Sequence, residues 1–496
     1  MSKNIKSYLK GLGSGYGKTA LVILVGLWMV PFTLQYLTLA EFGVFAIAGD
    51  ILIWLGLLQL GTGGVLNSRA AQLIGKGDVA SLSELTSTAF ILQLIVAALM
   101  IVVGGGISLT VDHWFQTNTS VDGLSLVVFV LVLGMSIRIT GQVFNALLVA
   151  NKQIHLSNYL GIGQFLLRTG LTVAFLVMGL KLMALAWSTL ISTVTVSLFT
   201  YWWMRRELPD VKISMKKFRI EHVKDLLGKG VWFTIGGLAG ILIVSMDRFM
   251  VGRYVSLEVV AAFVITGKLF FVAEKVHGQI FNVMRPYLAQ LHGQGRMKRL
   301  QELYHVSFSG ALLLSVLMAS VILILNKGFI GWWVGPEFYL GDTVCFLFAM
   351  NFVLQSSVLP NRALLASTLY KPRAHSIIRI IEGGVNLIGT YVLVMYFEES
   401  GVLLGSVIAT LLLSSIALNI LVRSYFRSQK LKGSPLTYVA YLAVLSLFLV
   451  FWNCAKSYYM FPVAMLWFLL VSGFVVYGNR ETLVIKKIYD RVFSRS

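Results

Sequence analysis

Charge is what this sequence has least of. Only 12% of its 496 residues are charged, while 57% are hydrophobic; a soluble globular chain carries about 25% charged residues. A long chain so poor in charge cannot cover a water-facing surface, which excludes an ordinary soluble globule. Carboxylates are the rarer sign, with 21 Asp and Glu against 41 Lys and Arg, a formal net charge of +20. Cysteine is nearly absent: Cys345 and Cys454 sit in apolar runs without metal-ligand spacing and read as packing residues. The histidines (His113, His155, His222, His277, His292, His305 and His375) are scattered, and no Ser-His-Asp grouping or long outer loop accompanies them. No catalytic residue, metal site or resident cofactor is therefore expected. Gly13-Ser-Gly-Tyr-Gly-Lys-Thr19 nearly spells a nucleotide-binding loop, but the required first glycine is Leu12 and no strand precedes it.

What the chain does have is apolar sequence in blocks of roughly 20 residues, long enough to cross a hydrocarbon core as helices. Fourteen such blocks lie near 17–38, 43–64, 88–108, 124–149, 156–178, 183–204, 230–251, 258–284, 303–326, 340–361, 375–397, 400–423, 436–453 and 458–477. The first follows Lys3, Lys6, Lys10 and Lys18 but is too long for a signal peptide and lacks a cleavage site, so it reads as a first span. With the N-terminus inside, only Lys181, Arg248, Arg253, Lys327 and Lys456 fall on outer segments. The dense basic runs 205–229 and 480–495 both fall inside. This is the positive-inside bias that orients membrane helices. It accounts for the basic balance without a nucleic-acid partner.

Two stretches repeat at an offset of 218 residues. Ala71 to Leu85 aligns without gaps to Ala289 to Leu303, with eight of fifteen positions identical, both loop glycines among them. Tyr36 to Asp50 aligns to Tyr254 to Lys268, and a weaker echo pairs Ala146, Lys152 and His155 with Ala363, Lys371 and His375. The unit therefore holds spans 1–6 and its copy spans 7–12. Six is even, so both copies enter the membrane in the same sense and the pseudo-twofold axis runs along the membrane normal. The reading is an N-terminal six-helix lobe over 1–204, a basic linker over 205–229, a second lobe over 230–424, and an extra helix pair with a basic tail over 425–496. Each Gly-x-Gly loop reads as a connector.

Ionisable residues inside spans carry the functional signal, because a charge at the centre of a membrane helix costs about 3 kcal/mol or more unless it meets a partner or a wet cavity. They are Asp50 on span 2, Arg138 on span 4, Arg168 on span 5, Lys268, Glu274 and Lys275 on span 8, and Arg379 and Glu382 on span 11. Arg138, Arg168, Lys268 and Lys275 are the candidates for substrate binding; Asp50, Glu274, Arg379 and Glu382 are the candidates for coupling or for bridging the lobes. Lys268 and Lys275 are seven residues apart, on one face of span 8. Arg379 and Glu382, at i and i+3, have the alternative of neutralising each other. The repeat makes Asp50 and Lys268 equivalent, so Lys268 is the expected bridging partner of Asp50. Asp247 with Arg248, and likewise Arg285 and Arg362, read as interfacial.

Taken in order along the chain, several motifs resemble one family. They are Leu39-Ala-Glu-Phe-Gly-Val-Phe45 at the start of span 2, and Leu60-Gly-Thr-Gly-Gly-Val-Leu-Asn-Ser-Arg-Ala-Ala71 leading into an inner amphipathic segment. Met246-Asp-Arg-Phe-Met-Val-Gly-Arg-Tyr254 ends span 7, and Trp332-Trp-Val-Gly-Pro-Glu-Phe338 forms the turn before span 10. The chain resembles the Wzx-type oligosaccharide flippases of the multidrug/oligosaccharidyl-lipid/polysaccharide superfamily. The resemblance implies an all-α integral membrane protein of fourteen transmembrane helices, two pseudo-twofold-related lobes plus two C-terminal helices, forming a V-shaped alternating-access transporter. It implies translocation of undecaprenyl-pyrophosphate-linked oligosaccharide across the cytoplasmic membrane, no enzymatic step, and coupling to H+ or Na+. The implied partners are the lipid-linked oligosaccharide, membrane lipids and polysaccharide assembly proteins. One departure stands out, since the charges within the spans are nearly balanced, five cations to three acids. The rival readings are a peptidoglycan-precursor flippase, a drug/cation antiporter of the same superfamily, and a membrane glycan polymerase or ligase.

The charge asymmetry makes both termini cytoplasmic. Reporter fusions after residue 496 and within 205–229 should report inside and fusions within 110–122 outside; an outside signal at the C-terminus would remove the fourteen-span topology.

Overall fold

The computed structural model describes residues 3–59, 62–115, 123–282, 288, 291–364 and 372–428. Every regular element among them is a helix, as expected where lipid leaves backbone groups no outside partner. Eight helical stretches among the described residues are long and apolar enough to cross a membrane, and Thr19–Leu34 and Leu257–Thr266 are shorter apolar helices. The chain is thus an all-α multi-pass membrane protein. Spans 13 and 14 and the basic tail lie outside the described residues, as do Lys371 and Arg285 of the sequence reading.

Compactness divides the chain into two units, Met1–Ala261 and Ala262–Ser496. The first contains α1 (Lys3–Leu34), α2 (Leu39–Leu55), α3 (Thr62–Lys76), α4 (Val79–Thr110), α5 (Leu124–Ala150), α6 (Ile154–Val177), α7 (Leu182–Glu207) and α8 (Ile220–Tyr254). The division passes through α9 (Leu257–Thr266). The second unit continues with α10 (Lys268–Asn282), α11 (Met297–Trp333), α12 (Asp342–Ser357), α13 (Leu359–Ala363), α14 (Pro372–Ala409), a π-helical stretch Thr410–Ala417, and α15 (Leu418–Ser428). Span 7, which the repeat assigns to the second lobe, is α8 and packs on α2, α3 and α4. Its helix begins at Ile220, ahead of the apolar block at 230–251, and α7 ends at Glu207, which leaves residues 208–219 as a short strap between them.

Local chemistry sets the helix ends. Thr38 and Glu41 form a capping box at the start of α2: the Thr38 amide donates to Glu41 Oε2 (2.7 Å) and the Glu41 amide to Thr38 Oγ1 (3.3 Å). The repeated loops make the same turn twice. Gly77 (φ 71°) and Gly295 (φ 68°) take the left-handed conformation that glycine adopts without strain. The amides of Gly77 and Asp78 donate to the carbonyls of Ile74 and Leu73, and those of Gly295 and Arg296 to His292 and Leu291. This is a Schellman ending in both copies. Only the first copy adds a side-chain cap, Asp78 Oδ1 accepting from the Ser81 amide at 3.0 Å. Hydrogen bonding from Ser81, by its side chain first and its amide second, holds the Asp78 carboxyl below its usual range.

Spans 11 and 12 form a helical hairpin. The helix running through Pro372–Ala409 folds back at Glu398 (φ 51°, ψ −134°), which brings Asn386 Nδ2 to Ser406 Oγ (2.6 Å) and Thr390 Oγ1 to the Val402 carbonyl (3.3 Å). Span 8 is also in two pieces, α9 and α10, with Gly267 between them; backbone bonds from Gly267 to Phe263 and from Phe271 to Gly267 carry the ladder through.

The hairpin needs glycine where its arms touch. A Cβ on Gly401 would fall 2.1 Å from the Leu393 carbonyl oxygen, whereas nothing lies within 4 Å at Gly384. Gly401→Ala should destabilise the protein by about 1–3 kcal/mol through overpacking, and Gly384→Ala should not. Melting temperatures of the two variants in detergent check this.

Candidate functional site

Helices α1, α2, α5, α6 and α7 of the first unit line an open cavity of about 230 Å³. Arg138 projects into its lining from α5 and Arg168 from α6, with Gln164, Phe165, Thr189 and Thr193 beside them. Both arginines are exposed, although their helices are apolar spans. Gln164 Nε2 donates to Thr193 Oγ1 (3.2 Å), tying α6 to α7 across the cavity wall. The Arg168 guanidinium lies 5.9 Å from the Phe165 ring centroid, within cation–π reach. The two arginines, one from each helix, share the lining of this one cavity. Among the described residues, no carboxylate lines the cavity. Two like charges held together beside hydroxyls and an amide, in a membrane helix bundle, form a site suited to an anion.

Asp50 is arranged differently. It is 1% exposed and forms an ion pair with Arg248 of α8, Oδ1 to Nη2 at 2.6 Å. The sequence reading set Asp50 opposite Lys268 and placed Arg248 in an interfacial pair with Asp247. Close packing makes the α2–α8 pairing possible: a Cβ on Gly252 of α8 would meet the Ile47 side chain of α2 at 2.6 Å. The second carboxylate oxygen of Asp50 is buried without a hydrogen-bond partner.

The second unit holds a polar network inside its helices. Arg379 Nη1 meets Glu382 Oε2 at 2.8 Å, the mutual neutralisation that the i,i+3 spacing allowed. Glu382 is 0% exposed and also accepts from Ser414 Oγ of the π-helix. Arg362 of α13 donates to Gln355 Oε1 (2.7 Å) and Ser414 Oγ (3.2 Å), and Gln355 Nε2 reaches Thr410 Oγ1 (2.8 Å). A second chain of contacts runs from Tyr304 through Asn361 to Asn419, and from Asn419 to the Ser415 carbonyl. The π-helix supplies Thr410, Ser414 and Ser415 to these networks, in keeping with the tendency of such stretches to occur at functional places. Glu274 and Lys275 are exposed on α10 and Lys268 is half-buried at its start. Glu274 lies within electrostatic range of Arg362 and Arg379.

Sequence reasoning missed Gln164, Thr189, Thr193, Gln355 and Ser414, and gave Arg362 an interfacial role. Some of this was recoverable: Gln164 stands one turn before Arg168, and Gln355 two turns before Arg362, so each pair shares a helix face. Nothing in the sequence marked the π-helix.

The chain matches a family model described as polysaccharide biosynthesis protein over residues 36–339. An uncharacterised membrane protein, EpsK of Bacillus subtilis (strain 168), is 17% identical over 372 residues, 74% of this chain and 73% of that protein. Among solved structures, the inward-facing conformation of a multidrug resistance MATE family transporter of the MOP superfamily matches with a TM-score of 0.69 at 16% identity, over 83% of this chain and 95% of that one. A MOP superfamily transporter from Pyrococcus furiosus, whose binding pocket is described as having reverse polarity suggesting a different function, matches at 0.60 and 16% identity, over 87% and 98%. At such identities the structural likeness is one of fold. With the family match covering more than half the sequence, the chain belongs to the polysaccharide biosynthesis protein family, and its fold is the one seen in MOP-superfamily transporters.

Proposed function

We propose that this transporter moves undecaprenyl-pyrophosphate-linked oligosaccharide units from the inner to the outer leaflet of the bacterial cytoplasmic membrane, for polysaccharide or O-antigen synthesis, by alternating access coupled to an ion gradient. The observation that carries this reading is the pair Arg138 and Arg168, set without a carboxylate on a cavity inside a membrane unit. Guanidinium forks match phosphate oxygens two bonds at a time, and a diphosphate is the charged part of such a substrate. The cavity is smaller than the roughly 300–1,000 Å³ of sites that enclose drug-sized ligands. It suits a diphosphate, with the glycan extending beyond it. A drug/cation antiporter would want an acid where this cavity has two bases. A peptidoglycan-precursor flippase would meet the same diphosphate, and complementation of strains lacking one or the other flippase separates the two.

Arg138→Ala together with Arg168→Ala should lower glycan export by about tenfold or more, the worth of one or two charge-assisted hydrogen bonds. Lysine at the same positions should do less harm, because charge is kept and only the fork is lost. Surface glycan at matched protein levels is the readout, and wild-type export by the double alanine variant would overturn the assignment.

The ion-coupling element of the proposal rests on the buried acids, Glu382 above all. Glu382→Gln alone leaves Arg379 buried without its counter-charge and should destabilise by about 3–5 kcal/mol. Adding Arg379→Gln should recover part of that loss. Thermal unfolding of the single and double variants measures the coupling, and strictly additive losses would show that the two residues act independently. If Glu382 couples transport, export by the double variant should also stop responding to collapse of the proton or sodium gradient.

A further inference from the structure

The strap 208–219 between α7 and α8 is short and firmly held. Val211 is 1% exposed and belongs to the core that includes Leu82, Leu85, Leu147 and Leu226. Three hydroxyls on the first turns of α4 accept from strap amides: Ser83 from Lys212 (3.2 Å), Ser87 from Ser214 (3.1 Å) and Thr88 from Arg219 (3.0 Å). Arg205 Nη1 donates to the Val211 carbonyl at 2.7 Å, and Ser214 Oγ accepts from the Lys216 amide to start a short 3₁₀ turn, Met215–Lys217.

These contacts also fix the depth of the strap. The apolar part of α4 begins at Ala89 and ends at Thr110, roughly 33 Å of helix, about the thickness of a hydrocarbon core. The hydroxyls that hold the strap lie in the turns just before it. The end of α7 marks the same level, where Trp202 and Trp203 sit with the Arg206 guanidinium 6.0 Å from each ring. Tryptophan beside arginine at the end of a span is an interfacial pattern. The strap therefore lies at headgroup depth, on the side the loop charges make cytoplasmic.

From this fixed backbone Lys212, Lys216 and Arg219 project outward, Lys217 is half-exposed, and Met215 and Ile220 are 78% and 53% exposed. The acids nearby are few. Glu84 is engaged by Arg219 at 3.1 Å, Glu207 accepts from Gln153 at 3.0 Å, and Asp210 and Glu221 are exposed. We propose that the strap is a docking surface for anionic phospholipid, with Lys212, Lys216 and Lys217 gathering headgroups while Met215 and Ile220 reach the acyl boundary. The lipid bound here is a resident of the membrane and not the transported substrate. A soluble anion would leave the two exposed apolar side chains unexplained, and they commit the surface to lipid.

The test uses the full chain in nanodiscs, with Cys345→Ser and Cys454→Ser, and a fluorophore on Met215→Cys. Brominated phosphatidylglycerol and brominated phosphatidylcholine are compared as quenchers, each at about one fifth of the lipid with the overall composition held constant. Basic residues at a surface enrich anionic lipid, so quenching by phosphatidylglycerol should exceed that by phosphatidylcholine by about twofold or more at low salt. The preference should fade at about 0.5 M salt, where the Debye length is near 4 Å. Replacing Lys212, Lys216 and Lys217 by Gln should make the two quenchers equal without abolishing quenching. Equal quenching by the two lipids in the parent protein, insensitive to salt, would reduce the contact to an apolar one and overturn the proposal. Quenching by neither lipid would place the strap in water and overturn it as well. Both readouts need only the parent chain, so the test stands even if the triple variant fails to insert.

Discussion

An ion brought into hydrocarbon must find an opposite charge, or water and polar groups, and this chain meets the requirement in both ways. Asp50 with Arg248, and Arg379 with Glu382, are matched pairs between or along helices, all buried but the half-buried Arg248. Arg138 and Arg168 are two like charges on one cavity, among hydroxyls, an amide and an aromatic face. Matched pairs are costly to separate and hold helices in register. Unmatched cations keep their capacity for an anion. The distinction between fastening charges and receiving charges organises what the two units can do.

Hydrocarbon offers no hydrophobic force to press helix against helix, so packing depends on small residues and side-chain hydrogen bonds. Glycines meet opposing backbone at Gly43, Gly401 and Gly405. Hydrogen bonds such as Asn386 to Ser406 and Thr172 to Ser188 lie between buried side chains. The π-helix extends this economy: its wider turn brings Thr410, Ser414 and Ser415 into polar contacts that also take in Arg362, Arg379 and Glu382.

The all-helical membrane character and the repeated loop turn were legible because each follows from a one-dimensional rule. Lipid demands apolar runs, and duplication leaves Gly77 and Gly295 making the same turn 218 residues apart. Partners were less legible. Symmetry relates Asp50 to Lys268, but the observed ion pair of Asp50 follows from which helix packs on α2. The partners of Arg248 and Arg362 were hidden because both stand near the C-terminal ends of their helical segments. Helical side chains lean towards the N-terminus, so a long one there points back into the span: Arg362 reaches Gln355, two turns earlier. Position along the sequence gives the depth of the Cα atom and not of the charge. The cavity hydroxyls and amide carry no charge to draw notice, and only the fold gathers them.

The reversal at Glu398 bears on how the protein is made. One residue outside helical geometry leaves no slack between two membrane crossings, so neither arm can settle in the bilayer while the other waits in water. Entry of the two arms as a pair, with Asn386 facing Ser406 as in the folded chain, meets that constraint. The polar side chains of each arm are shielded by the other when the two enter together.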